Sequence, residues 1–232
     1  MPHDPTAYWR APARNYRTLA RLHLQHMLFQ NTLRFILEKH VEQAIPTAPS
    51  SIFKVADLAC GNGVWLIGLS RELADKGAVS AKLDGFDINE ILFPASAFLP
   101  PSVSLENLDV LAKPLPEELI GAYDVVHGLN EPRGLRFEYI AELDQHLIKN
   151  GFENVYMSKT AKRKQDYKAW TDDILMAWEE CTFLFPSKAT DPQASHTRES
   201  WAENLAKAVG ETEKGVALHA GAITTVVGRK PF

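Results

Sequence analysis

Cysteine is scarce in this chain, which has two in 232 residues, Cys60 and Cys181. Two cysteines cannot build the multi-bridge framework of a small secreted domain, and such scarcity is typical of a reducing compartment. Positive charge is not in excess either, since 25 Lys and Arg residues accompany 29 Asp and Glu residues and the net charge is −4. Nucleic-acid-binding proteins usually carry a basic face, so we expect no nucleic-acid partner.

Long apolar runs are missing as well. The uncharged stretch 215–228 is too short to span a bilayer, and the first residues lack the apolar core of a signal peptide. We therefore expect no membrane association and a cytoplasmic location. We predict no metal site, because no close set of His, Cys and carboxylate side chains has the spacing of metal ligands. The sequence gives no indication of an oligomeric state.

The sequence of apolar patterns predicts an α/β fold. From about residue 12 to residue 41 apolar residues recur at helical spacing, and the proline-bearing "IPTAPSS" then interrupts the pattern. Short apolar runs alternate with helical segments after this break, as in a parallel sheet with crossover helices. We predict a helical cap at residues 1–46 and a Rossmann-like domain at 47–232. The basic cluster at 159–168 is expected to be a solvated surface.

The stretch "VADLACGNGVWLIGL" passes from a strand pattern through a glycine turn to a helical pattern. Gly61 and Gly63 leave the backbone bare near the helix N-terminus, an arrangement that suits a nucleotide-like ligand. A dinucleotide fingerprint would require a third glycine at position 66, where Leu66 stands. A ligand without phosphates is therefore favoured, and a simple tight turn remains the alternative.

Carboxylates follow three successive predicted strands. Asp57 precedes the glycine turn and can hold a positive charge on the ligand. Asp87 ends the second strand, where a carboxylate can accept both hydroxyls of a ribose. Asp109 ends the third strand, within reach of an adenine amino group. Each of the last two fits a helix cap or a loop when taken singly, but their shared position favours S-adenosylmethionine (SAM), a charged nucleoside ligand without phosphates.

These segments resemble a class I SAM-dependent methyltransferase of the fungal secondary-metabolism type. The matching pieces are "RLHLQHMLF", "VADLACGNGVWLIGLSREL", "DGFDINEILFP", "LPPSVSLENLDVLAKPLPEELIGAYDVVH" and "KGVALHAGAITTVVGRKP". The resemblance implies a SAM site. In it the methionine end is held by Asp57, Gly61 and Gly63, the ribose by Asp87, and the adenine by Asp109 with Val110. Cys60, Asn62 and Ile88 lie beside these residues in the implied site. Ala59 stands where many members have glycine, a change that an extended strand end should tolerate.

One segment that the resemblance leads us to expect is missing. In the family a helix and a fifth strand follow the fourth strand, and these need on average about 11 and 5 residues. Here residues 128–136 alone separate "YDVVH" from the next helical pattern. A parallel sheet cannot leave buried backbone groups unpaired. We therefore predict six strands, with the last strand, "AITTVV", buried on both faces and lying antiparallel between the fourth strand and "FENVYMS".

The resemblance implies methyl transfer to the oxygen or nitrogen of a small natural-product acceptor. Such an enzyme mainly positions the acceptor, and a base can take its proton. His26 in "RLHLQH" and His127 at the end of the fourth strand are the candidate bases, although His26 also fits a packing role and His127 a strand-end hydrogen bond. Trp65 is expected to pack on the sheet. Two alternatives stay open: a SAM-binding protein without transferase activity, and a SAM-assisted cyclase of the same family.

Overall fold

The structure, a computed structural model, describes residues 15–48, 50–77, 80–110, 114–128, 142–218 and 221–231. Its helices are α1 (Tyr16–Leu33), α2 (Lys39–Glu42), α3 (Val64–Asp75), α4 (Leu143–Lys149), α5 (Tyr167–Glu180) and α6 (Arg198–Glu213). Its strands are β1 (Phe53–Leu58), β2 (Ala81–Asp87), β3 (Val103–Asn107), β4 (Val125–Gly128), β5 (Glu153–Ala161) and β6 (Ala222–Arg229). Short 3₁₀ turns occur between several of these elements.

Four strands form a parallel sheet in the order β3-β2-β1-β4, which is the Rossmann-like arrangement. The register places Asp57 of β1 opposite Gly85 of β2 and opposite His127 of β4. Because the carboxyl ends of parallel strands meet at one edge, this edge collects Asp57, Asp87 and His127. The predicted α/β fold with a parallel sheet is confirmed.

Helix α3 covers one face of the parallel sheet. Three leucines of α3 at helical spacing pack on the apolar residues of β1, β2 and β3, and all are buried: Leu66, Leu69, Leu73, Phe53, Val55, Leu83 and Val103. The opposite face is polar at its centre, where the buried Asp84 accepts hydrogen bonds from Ser104 Oγ at 2.5 Å and from Tyr123 Oη at 2.9 Å. The bond from Tyr123 fastens the segment before β4 to the sheet.

The two C-terminal strands form a separate antiparallel pair, β5-β6. The described residues contain six strands, the last of them antiparallel to its neighbour, as predicted. These strands form two sheets and not one, and the predicted pairing of the last strand with β4 is wrong for the described residues, in which β4 pairs with β1 and β6 with β5. The prediction that "AITTVV" is buried on both faces is also wrong, since Ile223 is its one buried residue. β-Branched residues favour strands at half-buried positions too, so this composition does not identify a central strand.

Residues 129–141 lie outside the described part of the chain. They include most of the stretch from which a helix and a strand are predicted to be missing, so the missing segment stays a prediction. The end of the predicted helix "FEYIAELDQHLIKN" is observed as α4.

Helix α1 lies between α3 and α5. Its Leu28 packs with Trp170 of α5 and Ile223 of β6, and its buried Arg21 pairs with Glu180 at 3.0 Å and with Asp173 at 3.6 Å. The domain boundary at residue 46 stays a proposal. No helix in the described ranges is both long enough and apolar enough to cross a membrane.

The basic cluster 159–168 is not solvated throughout. Lys162 is buried and its Nζ lies 3.8 Å from the centroid of the Trp170 ring. A cation that lies over an aromatic face can be buried because the partial negative charge on the ring face attracts it. The prediction of a fully solvated cluster is therefore wrong at Lys162.

Candidate functional site

The turn between β1 and α3 contains three residues in the left-handed region. Ala59, Gly61 and Gly63 have φ angles of +59°, +57° and +71°. Our expectation that Ala59 occupies an extended strand end is therefore wrong. A non-glycine residue in this conformation costs roughly 1–2 kcal/mol, because its Cβ approaches the following carbonyl oxygen.

The two glycines also make room for neighbouring protein side chains. A Cβ on Gly63 would lie 2.9 Å from Leu105 Cδ2 of β3, and a Cβ on Gly61 would lie 3.1 Å from Leu22 Cδ1 of α1. The two glycines are therefore needed by the fold itself, because they adopt positive φ angles and leave space for neighbouring side chains. The predicted approach of a ligand to these glycines stays a prediction.

Gly85 allows helix α3 to approach the sheet closely, as the third glycine does in the dinucleotide fingerprint. In that fingerprint the third glycine lets the helix pack tightly on its strand. Here the fully buried Leu66 occupies the helix position, and the glycine lies on β2. A Cβ on Gly85 would lie within 3.0 Å of three side-chain atoms: Leu105 Cδ2 at 2.6 Å, Cys60 Sγ at 2.8 Å and Leu66 Cδ1 at 2.9 Å.

Asp87 ties the glycine turn to the end of β2. Its Oδ2 accepts a hydrogen bond from the backbone N–H of Gly61 at 2.8 Å, and its Oδ1 accepts one from Asn89 N–H at 2.9 Å. Each carboxylate oxygen can accept a further hydrogen bond. Asp87 can therefore hold hydroxyl groups while it fixes the turn.

The segment after β3 lies beside Asp87. Leu108 N–H donates to the Asp87 carbonyl at 2.9 Å, and Asn107 Nδ2 donates to the Ile88 carbonyl at 3.0 Å. β3 ends at Asn107, so Asp109 follows the strand rather than ending it. Asp109 and Val110 are half-buried at the same edge as Asp87, as the prediction of one shared site requires.

Asp57, His127 and Trp65 meet at the ends of β1 and β4. The buried Asp57 carboxylate binds His127 Nδ1 through Oδ1 at 2.7 Å. The Trp65 ring stacks on the His127 ring, with 3.8 Å between centroids and an angle of 5° between planes. The predicted strand-end hydrogen bond of His127 is confirmed. Trp65 packs at the sheet as expected, and no local pattern indicated its contact with His127.

His26 of α1 lies against the backbone of α3. Its Nε2 would be 3.1 Å from a Cβ on Gly68, so the missing side chain of this glycine accommodates the ring. Burial, followed by the nearby His23 and His127 and opposed by Asp57, lowers the pKa of His26 from 6.5 to about 4. The ring is therefore neutral near pH 7, and its surroundings are those of the packing role.

Asn62 and Cys60 complete the turn. Asn62 is buried, and its Nδ2 lies 3.0 Å from His23 Nδ1, which joins α1 to the turn. Sequence reasoning assigned no role to His23, although it precedes His26 by three residues and so shares its helix face. Burial, with the negative charges of Asp57 and Asp87, raises the pKa of the Cys60 thiol far above its ordinary value. Cys60 is thus a packing residue and not a nucleophile.

A cavity of about 540 Å³ lies between α5 and α6, away from this edge of the sheet. Another, of about 520 Å³, lies on the sheet face opposite α3 beside Lys82, Asp84 and Tyr123, and it extends to Asn107 and Leu108 at the end of β3. Across the described residues, no group of three or more His, Cys, Asp and Glu side chains could hold a metal ion.

No protein-family model matches the chain. Methyltransferase grgD from a Penicillium species is 34% identical over 125 residues, and the match covers 53% of this chain but 40% of that protein's length. Two solved structures are similar in fold, each at 15% identity. The first is the complex between the Haloferax volcanii Trm112 methyltransferase activator and a methyltransferase, with a TM-score of 0.46 over 96% of this chain and 100% of that one.

The second is the plantazolicin methyltransferase BpumL in complex with SAH, with a TM-score of 0.44 over 97% of this chain and 93% of that one. At this degree of likeness neither structure bears on function. The similarity to the Penicillium protein extends over about half of this chain and less than half of that protein.

Proposed function

We propose that this chain is a SAM-dependent methyltransferase that transfers a methyl group to the oxygen or nitrogen of a small natural-product acceptor. The main supporting observation is the 2.8 Å hydrogen bond from Gly61 N–H to Asp87 Oδ2. This bond places the acidic ends of β1 and β2 on the two sides of the glycine turn. The similarity to the Penicillium methyltransferase supports the same reaction class.

The residues at this edge fit SAM. The buried Asp57 uses Oδ1 for His127, and its Oδ2 is suited to the ammonium group of the methionine end. Asp87 can accept the ribose hydroxyls, and the backbone around Asp109 and Val110 would lie beside the adenine. When bound, SAM supplies a methyl carbon that is electrophilic because it is attached to a positively charged sulfur.

The contribution of the chain is to orient the acceptor and to exclude water. Holding two reactants at the correct distance and angle can supply about 7–11 kcal/mol of the barrier reduction. Helix α1 contacts the glycine turn through Leu22 and His23, and this contact supports the proposal that the helix covers the cofactor.

Calorimetric titration with SAM and with SAH, its demethylated product, tests the binding. We expect the wild-type chain to bind both, and Asp87→Asn to weaken binding by about 5- to 150-fold, which corresponds to 1–3 kcal/mol for an unsatisfied polar group. Asp75→Asn is the control, because this exposed residue ends α3 far from the turn. A wild-type chain that binds neither ligand at millimolar concentration would contradict the proposal.

Incubation with methyl-labelled SAM and an extract of small metabolites tests the transfer. We expect label to appear in a small product faster than with Asp87→Asn. Binding without any transfer would instead support a SAM-binding protein, and an unlabelled, SAM-dependent isomer of a metabolite would support a cyclase.

A further inference from the structure

His127 is held from two directions by residues that are distant in sequence. Its Nδ1 lies 2.7 Å from Asp57 Oδ1, and one face of its ring lies flat on Trp65. The Asp57 side chain is 4% exposed, whereas the His127 side chain remains 31% exposed. A buried carboxylate and a stacked indole therefore fix the orientation of a ring that is still accessible.

The hydrogen bond to Asp57 also selects one tautomer of the ring. A carboxylate accepts hydrogen bonds only, so Nδ1 must donate its N–H to Asp57. In a neutral imidazole the other nitrogen, Nε2, then carries the lone pair. A nucleophile or acceptor is activated by a base that a third group orients in this way.

His26, the other candidate base, differs in each respect. Its Nε2 faces the backbone of α3 at Gly68, and in the described part of the chain no carboxylate hydrogen-bonds to its ring. The half-buried ring thus lies against α3 through this nitrogen, whereas the His127 ring is fixed by a carboxylate.

We propose that His127 is the catalytic base of this site and that Asp57 and Trp65 are its positioning residues. This inference rests on the proposed methyl transfer. A lone pair on the acceptor oxygen or nitrogen bonds to the methyl carbon, and the pair of the breaking carbon–sulfur bond is left on sulfur. The acceptor's O–H or N–H bond breaks, and its electron pair stays on the oxygen or nitrogen. His127 Nε2 takes the released proton, and the Asp57 carboxylate stabilises the resulting imidazolium until the proton passes to water.

Asp57 would then serve two partners, with Oδ1 on the base and Oδ2 on the cofactor ammonium. The base and the methionine end of the cofactor would thus be placed relative to each other by one carboxylate. Binding of a ligand in the cofactor site should therefore change the electrostatic environment of the His127 ring.

Nitrogen-15 NMR of histidine side chains at pH 8 tests the geometry without an acceptor. His127→Gln identifies the His127 signals. We expect the proton on Nδ1, a change in both nitrogen shifts on addition of SAH, and a reversed tautomer in Asp57→Asn, whose amide can donate to Nδ1. Trp65→Leu should give a mixture of tautomers and Trp65→Phe should restore one. A wild-type ring with its proton on Nε2 overturns the inference.

Methyl transfer tests the role of the base. With labelled SAM and a pool of simple phenols and aromatic amines, we expect His127→Gln to lower transfer by about 10²- to 10³-fold, in the range known for general bases. Its affinity for SAH should stay within about threefold of wild type, because the Asp57 carboxylate that would hold the cofactor ammonium is still present. His196→Gln, in an exposed loop, is the matched control and should change neither quantity.

The outcomes separate this inference from the proposed function. Transfer by His127→Gln at the wild-type rate, or a loss of SAH affinity as large as the loss of transfer, overturns the inference alone. A wild-type chain that binds neither SAM nor SAH overturns the proposed function and the base with it, whatever the tautomer.

Discussion

The two histidines that the sequence offers as bases are distinguished by their immediate surroundings. His127 has a carboxylate partner and an accessible ring, whereas His26 is packed against Gly68 and is kept neutral by burial. Ala59 shows a similar dependence on local geometry, because its left-handed backbone could not be inferred from its identity.

The neutral His26 predicts a pH-dependent stability. Its pKa is about 4 in the folded chain and 6.5 as the ordinary value, so between these values the unfolded chain binds a proton that the folded chain does not. The free energy of unfolding should therefore fall as pH falls from 6.5 through 4. In His26→Gln, urea unfolding across this window should show a smaller loss of stability than in the wild type.

His196→Gln is the control for this measurement, because His196 is exposed and should not alter the slope. A His26→Gln variant with the wild-type pH slope would contradict the assignment of this slope to His26.

At the scale of elements, the contact between β2 and α3 is set by a single glycine. Leu66 of α3 and Leu105 of β3 both occupy the space that a Cβ on Gly85 would need. The helix can therefore lie close to the sheet with a leucine rather than a glycine at position 66. The glycine turn keeps its hydrogen bond to Asp87.

Gly85→Ala should destabilise the protein. Its Cβ would lie within 3.0 Å of three side-chain atoms, and overpacking of this kind costs about 1–3 kcal/mol. Gly210→Ala is the matched control, since no atom lies within 4 Å of its Cβ position in α6, and it should stabilise by about 0.5–1 kcal/mol. Equilibrium urea unfolding measures both, and an unchanged Gly85→Ala would mean that α3 can shift freely on β2.

At the scale of the whole molecule, α1 connects the parallel sheet to the C-terminal elements. The residues buried on α1 recur at helical spacing but are mostly polar: Thr18, Arg21, Gln25, Leu28 and Thr32. Arg21 reaches α5, where it pairs with Glu180 and Asp173, while Leu22 and His23 contact the glycine turn. The described structure is thus joined through this helix.

Arg21→Met should destabilise the whole molecule by about 3–5 kcal/mol, because removing one member of a buried ion pair leaves the charges of the other members poorly compensated. Lys168→Met is the control, since its pair with Asp172 is solvent-exposed and should contribute about 1 kcal/mol or less. Far-UV circular dichroism and tryptophan fluorescence during urea unfolding measure the change. A loss below 1 kcal/mol for Arg21→Met would show that the buried pair is replaceable.

The sequence by itself determined the strand, turn and helix around the glycine motif, the parallel sheet and the carboxylates at its edge. These features depend on hydrophobic period and on residues close in sequence, and parallel strands necessarily bring their ends to one edge. The tertiary structure alone decided the Asp57–His127 bond, whose partners are 70 positions apart, the stacking of Trp65 and the burial of Lys162 over Trp170. It also decided that β5 and β6 form their own sheet. The neighbour of a side chain depends on which distant elements pack together, and local pattern carries no information about that choice.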